Sequence, residues 1–126
     1  MGKFVIKPAA KGKGVKFDLK AGNGEVIAVS QMYASLDGCV NGVASVKNNA
    51  PEANVEDQTV EGFEKQPCPK FEVYVDKAGE FRFRLLAKNG QNIAASEGYT
   101  AKKSCLNGIE SVRKNAVDSE VVQEEE

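Results

Sequence analysis

The sequence predicts an α+β fold in which two tandem β-β-β-α-β repeats build one shared antiparallel sheet, with both helices on one face and a pseudo-twofold relation between the repeats. Three observations lead there. Residues 21–55 recur as residues 87–121 at a constant offset: Asn23-Gly24 matches Asn89-Gly90, Ser30 and Tyr33 match Ser96 and Tyr99, and Cys39, Asn41 and Gly42 match Cys105, Asn107 and Gly108. Ser45-Val46 and Asn49-Ala50 then match Ser111-Val112 and Asn115-Ala116. Two copies make a duplication and not a solenoid. Each copy opens with apolar residues at every second position, the mark of a half-buried strand, and after Tyr33 and Tyr99 the apolar spacing lengthens to that of a helix. At 126 residues the chain has the length of a single domain, and half of it buries too little surface to stand alone, so the copies must share a core.

In the first copy Phe4 and Ile6 form one strand. A Gly- and Lys-rich loop from Ala10 to Gly14 leads to a second, in which Val15, Phe17, Leu19 and Ala21 alternate with Lys16, Asp18 and Lys20. Asn23-Gly24 is a hairpin signal, since glycine supplies the positive φ such a turn demands, and a third strand follows over Val26 to Gln31. Ser35 is the expected N-cap of a helix carrying Leu36, Cys39 or Val40, Val43 and Val46 inward. Pro51 stops that helix, and a β-prone segment, Val55 to Val60, closes the copy. Pro67 and Pro69 mark the linker.

The second copy repeats the plan. Phe71, Val73 and Val75 alternate with Glu72, Tyr74 and Asp76, and Phe81, Phe83, Leu85 and Ala87 with Arg82, Arg84, Leu86 and Lys88. Asn89-Gly90 turns into a strand over Asn92 to Glu97. Thr100 is the expected cap of a helix carrying Cys105 or Leu106, Ile109, Val112 and Ala116, and Glu120 to Gln123 closes the chain. The boundaries read 1–61 for the first repeat, 62–69 for the linker, 70–123 for the second repeat and 124–126 for an acidic tail.

The string Asn41-Gly42-Val43-x-Ser45-Val46-Lys47 and its copy Asn107-Gly108-Ile109-x-Ser111-Val112-Arg113 are the most specific in the chain. A mid-helix glycine costs about 1 kcal/mol relative to alanine, so its appearance twice predicts a close approach of helix backbone to a strand. These strings, with Asn23-Gly24, Ser30 to Tyr33, Asn89-Gly90 and Ser96 to Tyr99, resemble the YegP-like family of small bacterial proteins of unknown function. The resemblance covers nearly the whole chain except the glutamate tail. It implies a three-strand, helix, strand unit, present in tandem or as two subunits, with one continuous sheet and the final strands exchanged between units. It supplies no catalytic residues.

Composition narrows function chiefly by exclusion. Seventeen basic and 18 acidic residues give a net charge of -1, without the strong basic bias of a dedicated nucleic-acid binder. No apolar run approaches the roughly 18 residues of a membrane span, and Ile6 stands where a myristoylation motif wants Ser or Thr, so a cytoplasmic protein without membrane contact is expected. Without histidine, Ser-His and Cys-His pairs and most zinc sets are excluded. The three cysteines read as reduced thiols, with Cys39 and Cys105 filling core and Cys68 the most exposed. Gly22-Asn23-Gly24 and Gly12-Lys13-Gly14 open no helix and lack phosphate-loop spacing.

The chain therefore reads as non-enzymatic, without cofactor or metal: a monomeric binding or interaction module whose partner the sequence does not identify, a protein or a nucleic acid meeting the open sheet face. The alternative is a single-stranded nucleic-acid accessory protein using the open sheet face. That face is expected to present Tyr74, Arg82, Arg84 and Lys88 from the second copy and Lys16 and Lys20, with Lys7, from the first, since bases stack on aromatic rings and phosphates meet cations. Glu72, Asp76 and Asp18 share the face and are expected to pair with these cations across strands.

Overall fold

Among the described residues eight strands and two α-helices appear in the order the repeat demands: β1 (Lys3–Pro8), β2 (Val15–Lys20), β3 (Val26–Val29), α1 (Leu36–Asn49), β4 (Asn54–Asp57), β5 (Lys70–Val75), β6 (Phe81–Leu86), β7 (Asn92–Ala95), α2 (Lys102–Asp118) and β8 (Glu120–Gln123). The computed structural model describes residues 2–8 and 14–123. The first hairpin loop, apart from Gly14, and the glutamate tail lie outside the described residues.

All eight strands join one sheet in the order β4-β5-β6-β7-β3-β2-β1-β8. Each repeat forms an antiparallel meander, and the meanders meet where Val29 of β3 pairs with Ala95 of β7. The closing strands cross over: β4 pairs with β5 of the second repeat, and β8 with β1 of the first. Both of these pairs are parallel, so the sheet is mixed where the sequence suggested an antiparallel one. A parallel pair needs a long crossover in place of a tight turn, and residues 58–69 supply it between β4 and β5.

The inward positions are those the alternation marks. Phe4, Ile6, Phe17 and Leu19 from the first repeat and Phe71, Val73, Phe83 and Leu85 from the second lie in one core with Cys39, Val43 and Val46 of α1 and Cys105, Ile109 and Val112 of α2. Both helices therefore cover the same face. Val75, expected inward, is 48 % exposed because it ends its strand, opposite the half-buried Phe81. The third strands depart from strict alternation. Leu19 pairs with Ala28 but Lys20 with Val26, and the resulting bulge lets both Ile27 and Ala28 reach the core. Ile93 and Ala94 repeat the device.

The third strands also end earlier than the apolar run suggests. The Ser30 hydroxyl accepts the Phe17 N–H at 2.9 Å and donates to the Gln31 carbonyl at 2.7 Å, and the Ser96 hydroxyl does the same for Phe83 and Glu97. The chain then skips two residues before Tyr33 pairs with Val15, and Tyr99 with Phe81. Each tyrosine ring stacks on a core phenylalanine, Tyr33 on Phe17 and Tyr99 on Phe83. A Cβ on Gly42 would stand 2.7 Å from Tyr33 Cζ and 3.2 Å from a Phe17 ring carbon; one on Gly108 would stand 2.6 Å from the Tyr99 hydroxyl and 3.0 Å from Phe83. The recurrent helix glycines therefore mark the close approach of each helix to a strand, and what they make room for there is side-chain rings, Phe17 of β2 with Tyr33 and Phe83 of β6 with Tyr99. Ser-x-x-Tyr and the helix glycine are two halves of one packing unit.

Ser35 caps α1, its hydroxyl accepting the Gly38 N–H. Thr100 does not cap α2. The N-cap is Ala101, which offers no side-chain acceptor and matches Ser35 at the repeat offset. After α1 a 3₁₀ turn, Ala50–Glu52, carries Pro51. Asp57 ends β4 by accepting both the N–H and the hydroxyl of Thr59, so the closing strand spans Asn54–Asp57 and stops short of Val60. Each Asn-Gly turn places its glycine at positive φ, 88° for Gly24 and 84° for Gly90, while the asparagine oxygen accepts the N–H two residues on.

Candidate functional site

The outward face of the sheet carries most of the residues the alternation placed there, but they arrive already paired. Glu72 and Arg84 stand directly opposite one another across β5 and β6, with 2.6 Å between carboxylate and guanidinium. The same guanidinium lies 4.6 Å over the Tyr74 ring. Arg82 reaches Asp76 at 2.5 Å, and that bond, with backbone N–H groups of Glu80 and Ala78, holds the Asp76 carboxyl below its ordinary range. In the first repeat Asp18 takes Lys7 at 2.6 Å and Lys16 at 4.0 Å. Lys20 lies further along β2, opposite Lys3.

Lys88 is not on this face. It follows the end of β6, and the turn that begins at Ala87 brings it to the helix side, 3.8 Å from Glu52 after α1. Alternation places a residue on a face only while the strand lasts. The six sequence candidates thus divide. Tyr74, Arg82 and Arg84 form one neutralised cluster, Lys16 and Lys20 share a strand in the other repeat, and Lys88 belongs to a different site.

Glu56 and Lys70, which the pattern did not single out, form the most buried ionic group. Glu56, 2 % exposed, accepts Lys70 at 2.8 Å, the Gln66 N–H at 2.7 Å and the Gln58 amide at 2.6 Å. Lys70 also reaches Glu72 at 3.3 Å, joining the buried pair to Arg84. Burial pushes the Glu56 carboxyl up, but the bonds from Lys70, Gln58 and Gln66 together outweigh it and hold the pKa at about 2. In the parallel pair Glu56 faces Glu72, a repulsion Lys70 relieves. No sequence signal marks this, because the register of β4 on β5 is set by the fold.

The two helix thiols are fully buried. Desolvation raises both, Cys105 to about 11, so neither is a thiolate near neutral pH. Cys68 is half-buried. Among the described residues no group of three or more potential ligands is placed to hold a metal ion, and no helix is long and apolar enough to cross a membrane.

A cleft of about 360 Å³ lies on the helix side, across the boundary between repeats, lined by Ser45, Asn48 and Asn49 of α1 and by Ala87, Lys88 and Asn89 of the β6–β7 turn. Its inner wall is fixed: the Asn49 amide donates to the Ser45 carbonyl at 2.7 Å and hydroxyl at 3.1 Å, and Asn89 accepts the Gln91 N–H. Ser45, Asn49 and Asn89 all recur in the duplication, which was the one signal available. Their convergence across repeats was not legible.

Comparisons agree with this architecture. A family model described as "Domain of unknown function (DUF1508)" matches residues 10–57 and 76–123. The "UPF0339 protein YegP" of Yersinia pestis is 37 % identical over 119 residues, 94 % of this chain and 92 % of that protein. A "UPF0339 protein in ptx operon 5'region" of Stutzerimonas stutzeri is 73 % identical over 48 residues, which are 38 % of this chain and only 43 % of that protein. The solution NMR structure of yegP from E. coli, a protein of unknown function, superposes with a TM-score of 0.80 at 31 % identity, covering 98 % of this chain and 93 % of that one.

Proposed function

The chain belongs to the DUF1508 family and carries two copies of its domain in tandem, and from that premise we propose that it is a non-enzymatic binding module of the cytoplasm. The observation that carries this reading is the state of its ionisable groups. Glu56 is held at about 2 and Cys105 at about 11, both far from the range in which a side chain exchanges a proton at neutral pH. Arg82, Arg84 and Lys7 are spent on neighbouring carboxylates. What the surface offers instead is hydrogen-bonding groups held in place by the fold.

The paired cations weigh against the alternative of single-stranded nucleic acid on the open face. Phosphates would have to displace Glu72, Asp76 and Asp18, and a base would have to displace Arg84 from the Tyr74 ring. Oligonucleotide affinity is therefore expected near the non-specific level, about 10⁻⁴ to 10⁻⁶ M at physiological salt. Titration of labelled oligonucleotides at two salt concentrations measures it; submicromolar binding lost in Tyr74→Ala would move nucleic acid to first place. The broader reading is tested by capture from a native cytosolic extract on the full chain, analysed together for protein, RNA and small molecules. Turnover of a captured small molecule, in place of simple retention, contradicts it.

A further inference from the structure

We propose that residues 60–65 are an exchange hinge, and that the partner this chain takes through it is a second copy of itself. Two chains trade repeats and close into a twofold dimer, in which the first repeat of each completes its sheet with the second repeat of the other. The contacts that join the repeats run between a residue of one and a residue of the other. The closing strands pair with β5 and β1, and Val29 meets Ala95. Lys70 reaches Glu56 at 2.8 Å, and Arg113 of α2 donates to the Ala53 carbonyl at 2.7 Å. A repeat supplied by another chain satisfies these as well as the chain's own does.

The crossover is built so that only its middle has to open. At one end the Gln58 N–H donates to the Val73 carbonyl at 2.8 Å and the Thr59 N–H to Asp57 at 3.0 Å. At the other the Gln66 N–H donates to Glu56 at 2.7 Å, and the Asn54 amide to the Pro67 carbonyl at 3.0 Å. All four bonds persist after exchange, whichever chain supplies the facing strand. Residues 60–65 are exposed throughout and make a single hydrogen bond, from the Phe63 N–H to the Val60 carbonyl at 3.2 Å. That turn holds Gly62 at a φ of 75°, and a Cβ there would touch nothing, so backbone conformation and not packing keeps the hinge shut. Opened, the segment spans about 20 Å, enough to lead from one closed unit into the next. Residues 58–69 are also about the minimum length for a parallel crossover, and a short hinge invites exchange. Because monomer and exchanged dimer make the same contacts, the strength of those contacts cancels. The balance is set by the effective concentration of one repeat at the other within a chain, about millimolar for a short flexible linker, and the dimer is expected to dissociate near that value.

The test is refolding of the full chain from denaturant at micromolar and at millimolar concentration, with light scattering on the eluted species. Monomer is expected from the dilute sample and a dimer with a native-like spectrum from the concentrated one. Gly62→Pro cannot adopt the turn, and deletion of residues 61–64 leaves the crossover too short to close on its own chain, so both should dimerise at concentrations at least about tenfold lower. Val29→Cys with Ala95→Cys, in a Cys68→Ser background, separates exchange from ordinary association: the oxidised pair links two chains in the exchanged dimer and one chain to itself otherwise. Because the deletion can fail to fold, the full-length chain decides by itself. Monomer alone after refolding at millimolar concentration, an unchanged dimer fraction in Gly62→Pro, or a dimer whose oxidised chains still separate on a denaturing gel would each overturn the hinge.

Discussion

Gly42 and Tyr33 show how a single position is decided by what faces it. A branched side chain at Gly42 meets a ring that is itself stacked on the buried Phe17, so the ring has little room to retreat. Gly42→Val and Gly108→Val are expected to destabilise by about 1–3 kcal/mol, the range of an overpacked core, beyond the loss seen for Val at an exposed helix site. Tyr33→Phe, which removes the hydroxyl, should restore part of the Gly42→Val loss. Denaturant midpoints of the two single variants and the double variant decide it; additive losses would show that the Tyr33 hydroxyl is not what the new side chain meets. Ala101 gives the opposite case. It leaves α2 uncapped where Ser35 caps α1, and the first turn of α2 holds Lys102 and Lys103 against the dipole. Ala101→Ser should stabilise by about 0.5–1 kcal/mol, and an unchanged midpoint would show that Ala101 is not the cap.

The crossover of residues 58–69 is the element whose position depends most on buried charge. Its Gln66 N–H and Gln58 amide both end on Glu56, so the carboxylate ties the crossover to β4 while Lys70 ties it to β5. The Glu56 carboxyl lies at about 2 in the folded chain against an ordinary value of 4.5. A depressed carboxyl contributes stability that is present in full above its unfolded value and is lost as pH falls toward the folded one. The Glu56 contribution is therefore expected to disappear between about pH 4.5 and 2. Glu56→Gln keeps the shape, removes the charge and leaves Lys70 short of a partner; it should cost about 1.5–3 kcal/mol at neutral pH and flatten stability across that acid window. Hydrogen exchange at Gln66 should quicken in the same variant. A full acid response retained in Glu56→Gln would place the titration elsewhere.

The whole molecule is held together by exchange. Each repeat sends its last strand to the first strand of the other, the two meanders meet at Val29 and Ala95, and both helices share one core. A separated half would leave β1 or β5 without its parallel neighbour and its core open along the β3–β7 seam. Residues 1–66 and 67–126 expressed separately are thus expected to dimerise or remain unfolded, and to recover native-like dispersion when mixed. A half that sediments as a monomer with a dispersed spectrum would contradict the shared core.

Duplication, strand alternation, helix faces and Asn-Gly turns were all legible in the sequence, because each is a local periodic or conformational signal repeated within a few residues. That Phe17, Leu19, Phe83 and Leu85 face the core needs only a period of two. The pairing of outward charges was legible too, in the form of acids and bases sharing one face. Tertiary structure alone decided which strands pair in parallel, that the Tyr33 ring meets Gly42 beside Phe17, that Lys70 lies between Glu56 and Glu72, and that Lys88 turns to the helix side to join Asn48 and Asn49. Each of these depends on the register or relative placement of segments whose contacts are not written in local spacing. A one-residue slip of β4 on β5 would move Glu56 to the other face of the sheet, and nothing within β4 itself fixes that register.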